Sequence, residues 1–263
     1  MHGGTRRFSK LHGLGNDFLV AVDPEGVAPI DGAMAKDLCD RHTGVGADGL
    51  LHVDGGLRMT LFNADGSRAA MSGNGIRCLA HALARSQGVD LTAGGAAYDI
   101  VTDAGVRRVE LEPGSGSNTA WGRVDMGPVR QIPVIGPGLG AEATMGIDVG
   151  NPHLVARFRD EKAVAAAIGR SDEPDRNVEF VAVLAPDRLF MRVVERGVGE
   201  TLACGTGATA AAWAAHRWGL VGEHVTVVMP GGEATVELGR PVRLAGPSVH
   251  VADVDVPAPT GAS

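Results

Sequence analysis

Two four-residue blocks have the composition of a ligand-binding site. Ser72-Gly73-Asn74-Gly75 and Cys204-Gly205-Thr206-Gly207 each open a helix-like stretch rich in Ala. A helix N-terminus has free backbone N–H groups and a partial positive charge, and glycine lets a ligand approach the backbone. Two such termini that face each other would bind one carboxylate from both sides. The first residue of each block would then point at the atom that carries this carboxylate.

Cys204 is the residue of the blocks best suited to acid/base chemistry. The helix terminus should lower its thiol pKa from the free value of about 8.5, which would make the thiolate a base for an α-carbon proton. The alternative is that Cys204–Gly207 is only a tight turn before a helix. Phosphate binding is disfavoured, because neither the P-loop pattern nor the dinucleotide fingerprint is present.

The elements that must position the blocks occur twice. Residues 57–88 and 189–219 both run from a β-like segment through a polar loop to a block, and then to a helix closed by Gly88 or Gly219. The blocks are 132 positions apart, and residues 15–18 and 150–153 repeat at a separation of 135. Chance similarity between Ala/Gly-rich segments is the alternative, but the elements recur in the same order.

This repeat predicts an α+β protein of two similar domains, residues 1–118 and 119–249, each mostly sheet around one central helix. Pro113–Asn118 is the candidate linker. The tail, residues 250–263, either returns to the first domain or ends disordered, and Pro257–Pro259 should be loose. Short alternating strands are expected elsewhere, for example Val106–Leu111 and His224–Met229.

Composition excludes several classes of function. The net charge of −7 argues against a nucleic-acid groove, and no run of 18 apolar residues suggests a membrane span. The N-terminus lacks the apolar stretch of a secretory signal. The three lysines lie outside the blocks, which disfavours a Schiff-base cofactor, and no cluster has metal-ligand spacing. We therefore expect chemistry by side chains alone, without a cofactor, in the cytoplasm.

At these residues the chain resembles the diaminopimelate epimerase family. Seven motifs in the family's order carry the resemblance: Lys10–Phe18, Asn63–Ser67, Ser72–Cys78, Gly150–His153, Asn177–Phe180, Glu195–Gly197 and Ala203–Gly207. The resemblance implies two pseudo-symmetric domains, each a mostly antiparallel, barrel-like sheet around a central helix, which close on the substrate. It also implies conversion of LL-diaminopimelate to the meso form in lysine and peptidoglycan synthesis.

The resemblance further implies roles for individual residues. Ser72 and Cys204 would flank the α-carbon, one removing a proton and the other delivering one. The implied substrate-binding residues are the backbone groups of Gly73, Asn74, Gly205 and Thr206 and the side chains of Asn16, Asn63, Asn151, Asn177, Glu195 and Arg196. His153 and Glu195 would tune the pKa of the acid/base pair. Considered singly, the Asn residues are typical of turns, and His153 is typical of a structural histidine.

Ser72 departs from the family, which has its first catalytic cysteine here. A serine hydroxyl is a poor base without an activator, so we predict severely reduced turnover with substrate binding retained. Ser72 is either an engineered Cys-to-Ser change or a natural serine, as in some related racemases. Asp48-Gly49 also departs from members that carry Gln, and we assign no binding role there.

Two other functions fit the sequence. One is a proline- or hydroxyproline-type epimerase or dehydratase of related fold, although Glu195 and Arg196 favour a substrate with a second amino-acid end. The other is a catalytically silent amino-acid-binding protein, which Ser72 favours and Cys204 disfavours. In each case the partner is a small amino acid, and a homodimer is the expected assembly. Cys39 and Cys78 are expected to be structural.

Overall fold

The fold is built mainly from strands. The computed structural model describes residues 5–26, 30–134, 139–168, 176–196 and 198–257. Its strands are β1 (Thr5–Gly13), β2 (Asn16–Asp23), β3 (Gly49–Asp54), β4 (Met59–Asn63), β5 (Arg68–Ala69), β6 (Ala96–Thr102), β7 (Gly105–Pro113), β8 (Thr119–Asp125), β9 (Arg130–Ile132), β10 (Ala143–Asp148), β11 (Pro152–Phe158), β12 (Asn177–Ala185), β13 (Arg188–Glu195), β14 (Gly199–Thr201), β15 (His224–Met229), β16 (Gly232–Glu237) and β17 (Arg243–Pro257). The α-helices are α1 (Gly32–Cys39), α2 (Gly73–Ser86), α3 (Glu161–Ile168) and α4 (Gly205–Arg217).

The order of these elements repeats along the chain. An antiparallel hairpin (β1–β2 or β10–β11) leads through a helix to a parallel neighbour, β3 or β12. Helices α1 and α3 supply the long crossovers that parallel strands require. Two further strands and a central helix follow in each half, and then another antiparallel hairpin, β6–β7 or β15–β16. The repeat seen in the sequence is therefore also a repeat of structure.

The central helices α2 and α4 lie inside the sheet. Every residue of α2 from Gly73 to Ala84 is buried, and most of α4 is buried as well. Strands β1, β2, β3, β7, β8 and β17 contact α2, whereas β10 to β13 and β15 to β17 contact α4. Such all-round burial explains why both helices are so rich in small and apolar residues. The predicted α+β fold, mostly strands around central helices, is confirmed.

Two strands and two helix ends predicted from the sequence are present in the structure. Val106–Leu111 lies within β7, and His224–Met229 is β15. Gly88 and Gly219 follow the two central helices with φ of 66° and 72°, the left-handed geometry that ends helices.

The segment Pro113–Asn118, expected to be a linker, connects the antiparallel strands β7 and β8 as a hairpin turn. The division of the chain into domains at residue 118 stays a prediction.

Strand β17 joins distant parts of the chain. Its first half pairs with β16 and β8, and its second half pairs with β1 from His12 to Thr5. The tail to Pro257 is thus ordered against the beginning of the chain, whereas Ala258 and Pro259 lie outside the described residues. No helix in the described part of the chain is both long and apolar enough to cross a membrane.

Candidate active site

The N-termini of α2 and α4 meet at their first glycines. Ser72 and Cys204 are the residues that immediately precede the two helices, each in extended conformation. A Cβ atom on Gly205 would lie 3.0 Å from the Gly73 Cα and 3.2 Å from the Asn74 N. Only glycine permits this approach of two backbones. The first glycine of each block therefore lets the two positive helix ends converge.

A cavity of about 800 Å³ opens beside this junction. Eleven of the residues assigned from the sequence line it: Asn16, Asn63, Ser72, Gly73, Asn151, Asn177, Glu195, Arg196, Cys204, Gly205 and Thr206. Asn74 and His153 are buried behind the lining. Gly197, the last residue of the Glu195–Gly197 motif, lies outside the described residues. A smaller cavity of about 290 Å³ beside α1 is lined by none of the assigned residues. The structure thus brings the assigned residues together, while their roles stay predictions.

Ser72 and Cys204 occupy equivalent positions but make different contacts. The Ser72 Oγ accepts a 3.0 Å hydrogen bond from the Gly75 backbone N–H, which caps α2. The Cys204 side chain makes no capping bond, and its Sγ lies 3.4 Å from the Thr206 hydroxyl. The sequence interpretation overlooked this capping role, although serine is among the preferred N-cap residues.

The expected low pKa of the Cys204 thiol is wrong for this structure. Burial raises its pKa well above the usual range, and the carboxylates of Glu195 and Glu179 add to the effect. The Thr206 hydroxyl and the nearby backbone N–H of Gly207 lower the pKa, but less. The helix terminus is thus outweighed by burial and by two acidic neighbours. The raised pKa therefore favours the protonated thiol of Cys204 at neutral pH.

Glu195 is the immediate acidic neighbour of Cys204. Burial raises the pKa of its carboxyl group, against hydrogen bonds from Thr201 and Cys204 that lower it. The Thr201 hydroxyl donates to Glu195 Oε1 at 2.5 Å. Burial thus opposes ionisation of both the Cys204 thiol and the Glu195 carboxyl group.

His153 has an acidic partner that the sequence interpretation missed. Its Nδ1 lies 2.6 Å from Glu179 Oε1, its Nε2 lies 3.0 Å from Asn151 Oδ1, and the His153 and Glu179 side chains are fully buried. A Cβ on Gly207 would lie 2.6 Å from Glu179 Oε1, so this glycine makes room for the carboxyl group. The adjacent parallel strands β11 and β12 bring His153 and Glu179 together. The sequence interpretation missed this contact because the pairing of these strands is not visible in the sequence.

The first half has apolar residues at the corresponding places. Phe18 lies 135 positions before His153, and the register of β2 against β3 puts Leu51 where the second half has Glu179. The buried acid and imidazole therefore belong only to the side of the site that carries Cys204.

The amide side chains around the cavity are held by neighbouring groups. Asn16 Nδ2 donates to Asp48 Oδ2 at 2.8 Å, and Asn63 Nδ2 donates to Ser67 Oγ at 2.9 Å. Asn177 Oδ1 accepts from the backbone N–H of Arg196 at 3.0 Å. Because neighbouring groups already hold each amide, its remaining hydrogen-bonding capacity can bind a ligand without further ordering. Asp48, to which we assigned no binding role from the sequence, orients Asn16.

The fold and the site together define a class of protein. Two helix N-termini that converge on a cavity, with one thiol and one hydroxyl at their tips, suit proton transfer beside a bound carboxylate. A site of this kind suits an isomerase that moves a proton at a carbon atom beside a carboxylate.

The family follows from comparison with known proteins. The family model described as "Diaminopimelate epimerase" matches residues 8–132 and 146–244. A relative named diaminopimelate epimerase, from Thermobifida fusca, is 42% identical across 95% of this chain and 97% of its own length. The chain therefore belongs to the diaminopimelate epimerase family.

Solved structures share the fold at low sequence identity. A predicted epimerase from Pseudomonas aeruginosa has a TM-score of 0.77 and 15% identity, covering 96% of this chain and 99% of that one. A hydroxyproline epimerase from Agrobacterium vitis with bound trans-4-hydroxy-L-proline has a TM-score of 0.66 and 17% identity, covering 98% of this chain and 94% of that one. These likenesses support the fold alone.

Proposed function

We propose that the protein is a cofactor-independent epimerase that interconverts LL- and meso-diaminopimelate in lysine and peptidoglycan synthesis, and that Ser72 slows it severely. The observation that carries the proposal is the convergence of Ser72 and Cys204 on one cavity, at the tips of two helices that meet. A cytoplasmic location and a homodimer are part of the same proposal.

The helix ends would hold the carboxylate next to the reacting carbon. Backbone N–H groups of Gly73, Asn74, Gly205 and Thr206 are free of intrahelical partners in the first turns. Four such donors and two helix dipoles would stabilise the negative charge that develops when the α-proton leaves. The exposed Arg196 suits the distal carboxylate, and Glu195 suits an ammonium group.

Catalysis requires one group to remove a proton and another to deliver one on the opposite face. Cys204 can deliver its thiol proton, or it can pass that proton to Glu195 and then act as the base. Ser72 would have to donate its hydroxyl proton in one direction of the reaction and remove the α-proton in the other. A serine hydroxyl is a weak acid, and it is a poor base without an activator. Exchange of the α-proton on the Cys204 face should therefore persist, whereas full epimerisation should be slow.

The test is α-proton exchange in deuterated water with LL- and meso-diaminopimelate, for this chain and for Ser72→Cys. We expect this chain to exchange the α-proton on one face of the α-carbon at most. Ser72→Cys should epimerise at least about 100-fold faster, the typical contribution of a general acid or base. Equal epimerisation by both would refute the role of residue 72. Failure of both on diaminopimelate would remove the substrate assignment in favour of a proline-type epimerase or a silent binding protein.

A further inference from the structure

Arg77 is a buried cation to which the proposed reaction gives no role. Its side chain, in the second turn of α2, is fully buried. Its Nη1 donates to the Gly73 carbonyl at 3.1 Å and its Nη2 to Asn74 Oδ1 at 2.7 Å, while Nε has no partner. Within the described residues, no carboxylate forms an ion pair with it. Burial lowers the pKa of Arg77 only to about 10, so the guanidinium is charged at neutral pH.

The position of this charge is unfavourable in the ligand-free protein. Arg77 reaches back to the first turn of α2, where the helix end is already partly positive, and the N-terminus of α4 touches the same turn. A buried charge without a counter-ion is among the most costly features a fold can contain. A bound carboxylate at the two helix ends would supply the missing negative charge.

The internal repeat shows that the fold itself does not need the charge. Thr209 lies 132 positions after Arg77, and its hydroxyl donates to the Gly205 carbonyl at 3.0 Å. The Gly73 carbonyl, the counterpart of Gly205, receives the guanidinium instead. In the second half of the chain, the neutral hydroxyl of Thr209 therefore makes the contact with the backbone that Arg77 makes in the first half.

Asn74 connects the guanidinium to the site. Because Arg77 binds Oδ1, the amide directs Nδ2 toward Asn16 Oδ1 at 3.3 Å and the Ala203 carbonyl at 3.4 Å. These contacts tie the first turn of α2 to a residue of the cavity wall and to the residue before Cys204. The guanidinium thus fixes a residue whose backbone N–H lies in the carboxylate-binding turn.

We propose that Arg77 is a positioning residue for the substrate carboxylate: it holds Asn74 and supplies the positive charge that the bound carboxylate balances. The inference rests on the proposed function only in taking the ligand to be an amino-acid carboxylate. The guanidinium does not contact the ligand and acts through the first turn of α2.

The test compares Arg77→Met with Arg107→Met. Arg107 is a matched control, since it is also buried, also makes two hydrogen bonds through its Nη atoms, and belongs to the β6–β7 hairpin. Guanidinium denaturation without ligand measures stability, and calorimetric titration with meso-diaminopimelate measures affinity. We expect the unfolding midpoint of Arg77→Met to be no lower than that of Arg107→Met, because relief of the unpaired charge offsets the lost bonds. Its Kd should rise at least about tenfold, because a carboxylate misaligned with one backbone N–H of the first turn loses about one hydrogen bond to a charged group, while Arg107→Met keeps the original Kd.

Arg77→Lys separates charge from shape. It should recover most of the affinity that Arg77→Met loses, because the ammonium restores the charge with fewer hydrogen bonds. Unchanged affinity in Arg77→Met, or a midpoint far below that of Arg107→Met, would overturn the proposal and leave Arg77 a structural residue.

A panel of other amino acids separates this proposal from the proposed function. If the unaltered chain binds proline or hydroxyproline but not diaminopimelate, only the substrate assignment is refuted. The same variants are then tested with the ligand that binds. If no member of the panel binds, the proposal that Arg77 supports carboxylate binding is refuted as well.

Discussion

The contact between Gly73 and Gly205 gives a prediction that can be worked out from distances. In Gly205→Ala, the new Cβ would lie 2.8 Å from a Leu244 methyl, 3.0 Å from the Gly73 Cα and 3.2 Å from the Asn74 N. The methyl can rotate away, but the two backbone atoms can move only if α2 and α4 separate by a few tenths of an ångström. Overpacking of this kind costs about 1–3 kcal/mol, and the better helix propensity of Ala returns about 0.5–1 kcal/mol. The free energy of unfolding should therefore fall, by up to about 2.5 kcal/mol.

The same separation should weaken ligand binding. A carboxylate held by both helix ends would lose alignment with at least one N–H donor, and a hydrogen bond to a charged group is worth about 1.5–3 kcal/mol. The Kd for meso-diaminopimelate should accordingly rise about tenfold or more. Gly73→Ala should be milder in both measurements, because its backbone contacts would be 3.3 and 3.4 Å.

Denaturant unfolding and calorimetric titration would measure the two effects. Gly222→Ala is the control, since its Cβ would meet nothing closer than the Pro186 oxygen at 3.9 Å. It should change stability by less than about 0.5 kcal/mol. If Gly205→Ala matched this control in stability and in affinity, the helix ends would not meet as described, and the reasoning would be refuted.

Two further predictions concern the tips of the helices. Glu195→Gln removes a carboxylate that raises the pKa of Cys204, so the thiol pKa should fall and iodoacetamide should alkylate Cys204 faster at neutral pH. Cys204→Ala gives the background from Cys39 and Cys78, whose pKa values burial raises to about 11; alkylation no faster in Glu195→Gln would contradict the electrostatic account. Ser72→Cys and Ser72→Ala both lose the capping bond to Gly75, so each should lower the unfolding free energy by about 1 kcal/mol. Denaturation of both variants checks this, and unchanged stability would show that the cap contributes nothing.

The sequence predicted most of the fold because the fold is repeated. The strand, loop, glycine block and helix occur twice at one separation, and the glycines that end α2 and α4 are explicit in the sequence. The hairpin between β7 and β8 was interpreted as a linker, since a run of Gly, Ser and Asn is typical of both. The distinction depends on β8 pairing with β7 and β17, which no local pattern contains.

The site was predicted less completely, for a physical reason. Asn16, Asn151, Asn177 and Glu195 lie in recognisable motifs, and the structure places them around one cavity. The protonation of Cys204 was predicted wrongly, because a helix terminus is visible in the sequence whereas burial and the approach of two carboxylates are not. Glu179 and Arg77 lie in motifs recognised in the sequence but were given no role, because total burial and the hydrogen-bond partners of their side chains are not visible there.

The pairing of β1 with β17 constrains the order in which the protein can fold during synthesis. Thr5 pairs with Pro257, so β1 is translated about 250 residues before the strand with which it pairs. Until then α2, which packs against both strands, remains partly uncovered on the nascent chain. The second half has all its other strands close together in sequence and can assemble around α4 earlier. The rate at which β17 closes the part of the fold translated earlier therefore depends on a contact between the two most distant segments of the described chain.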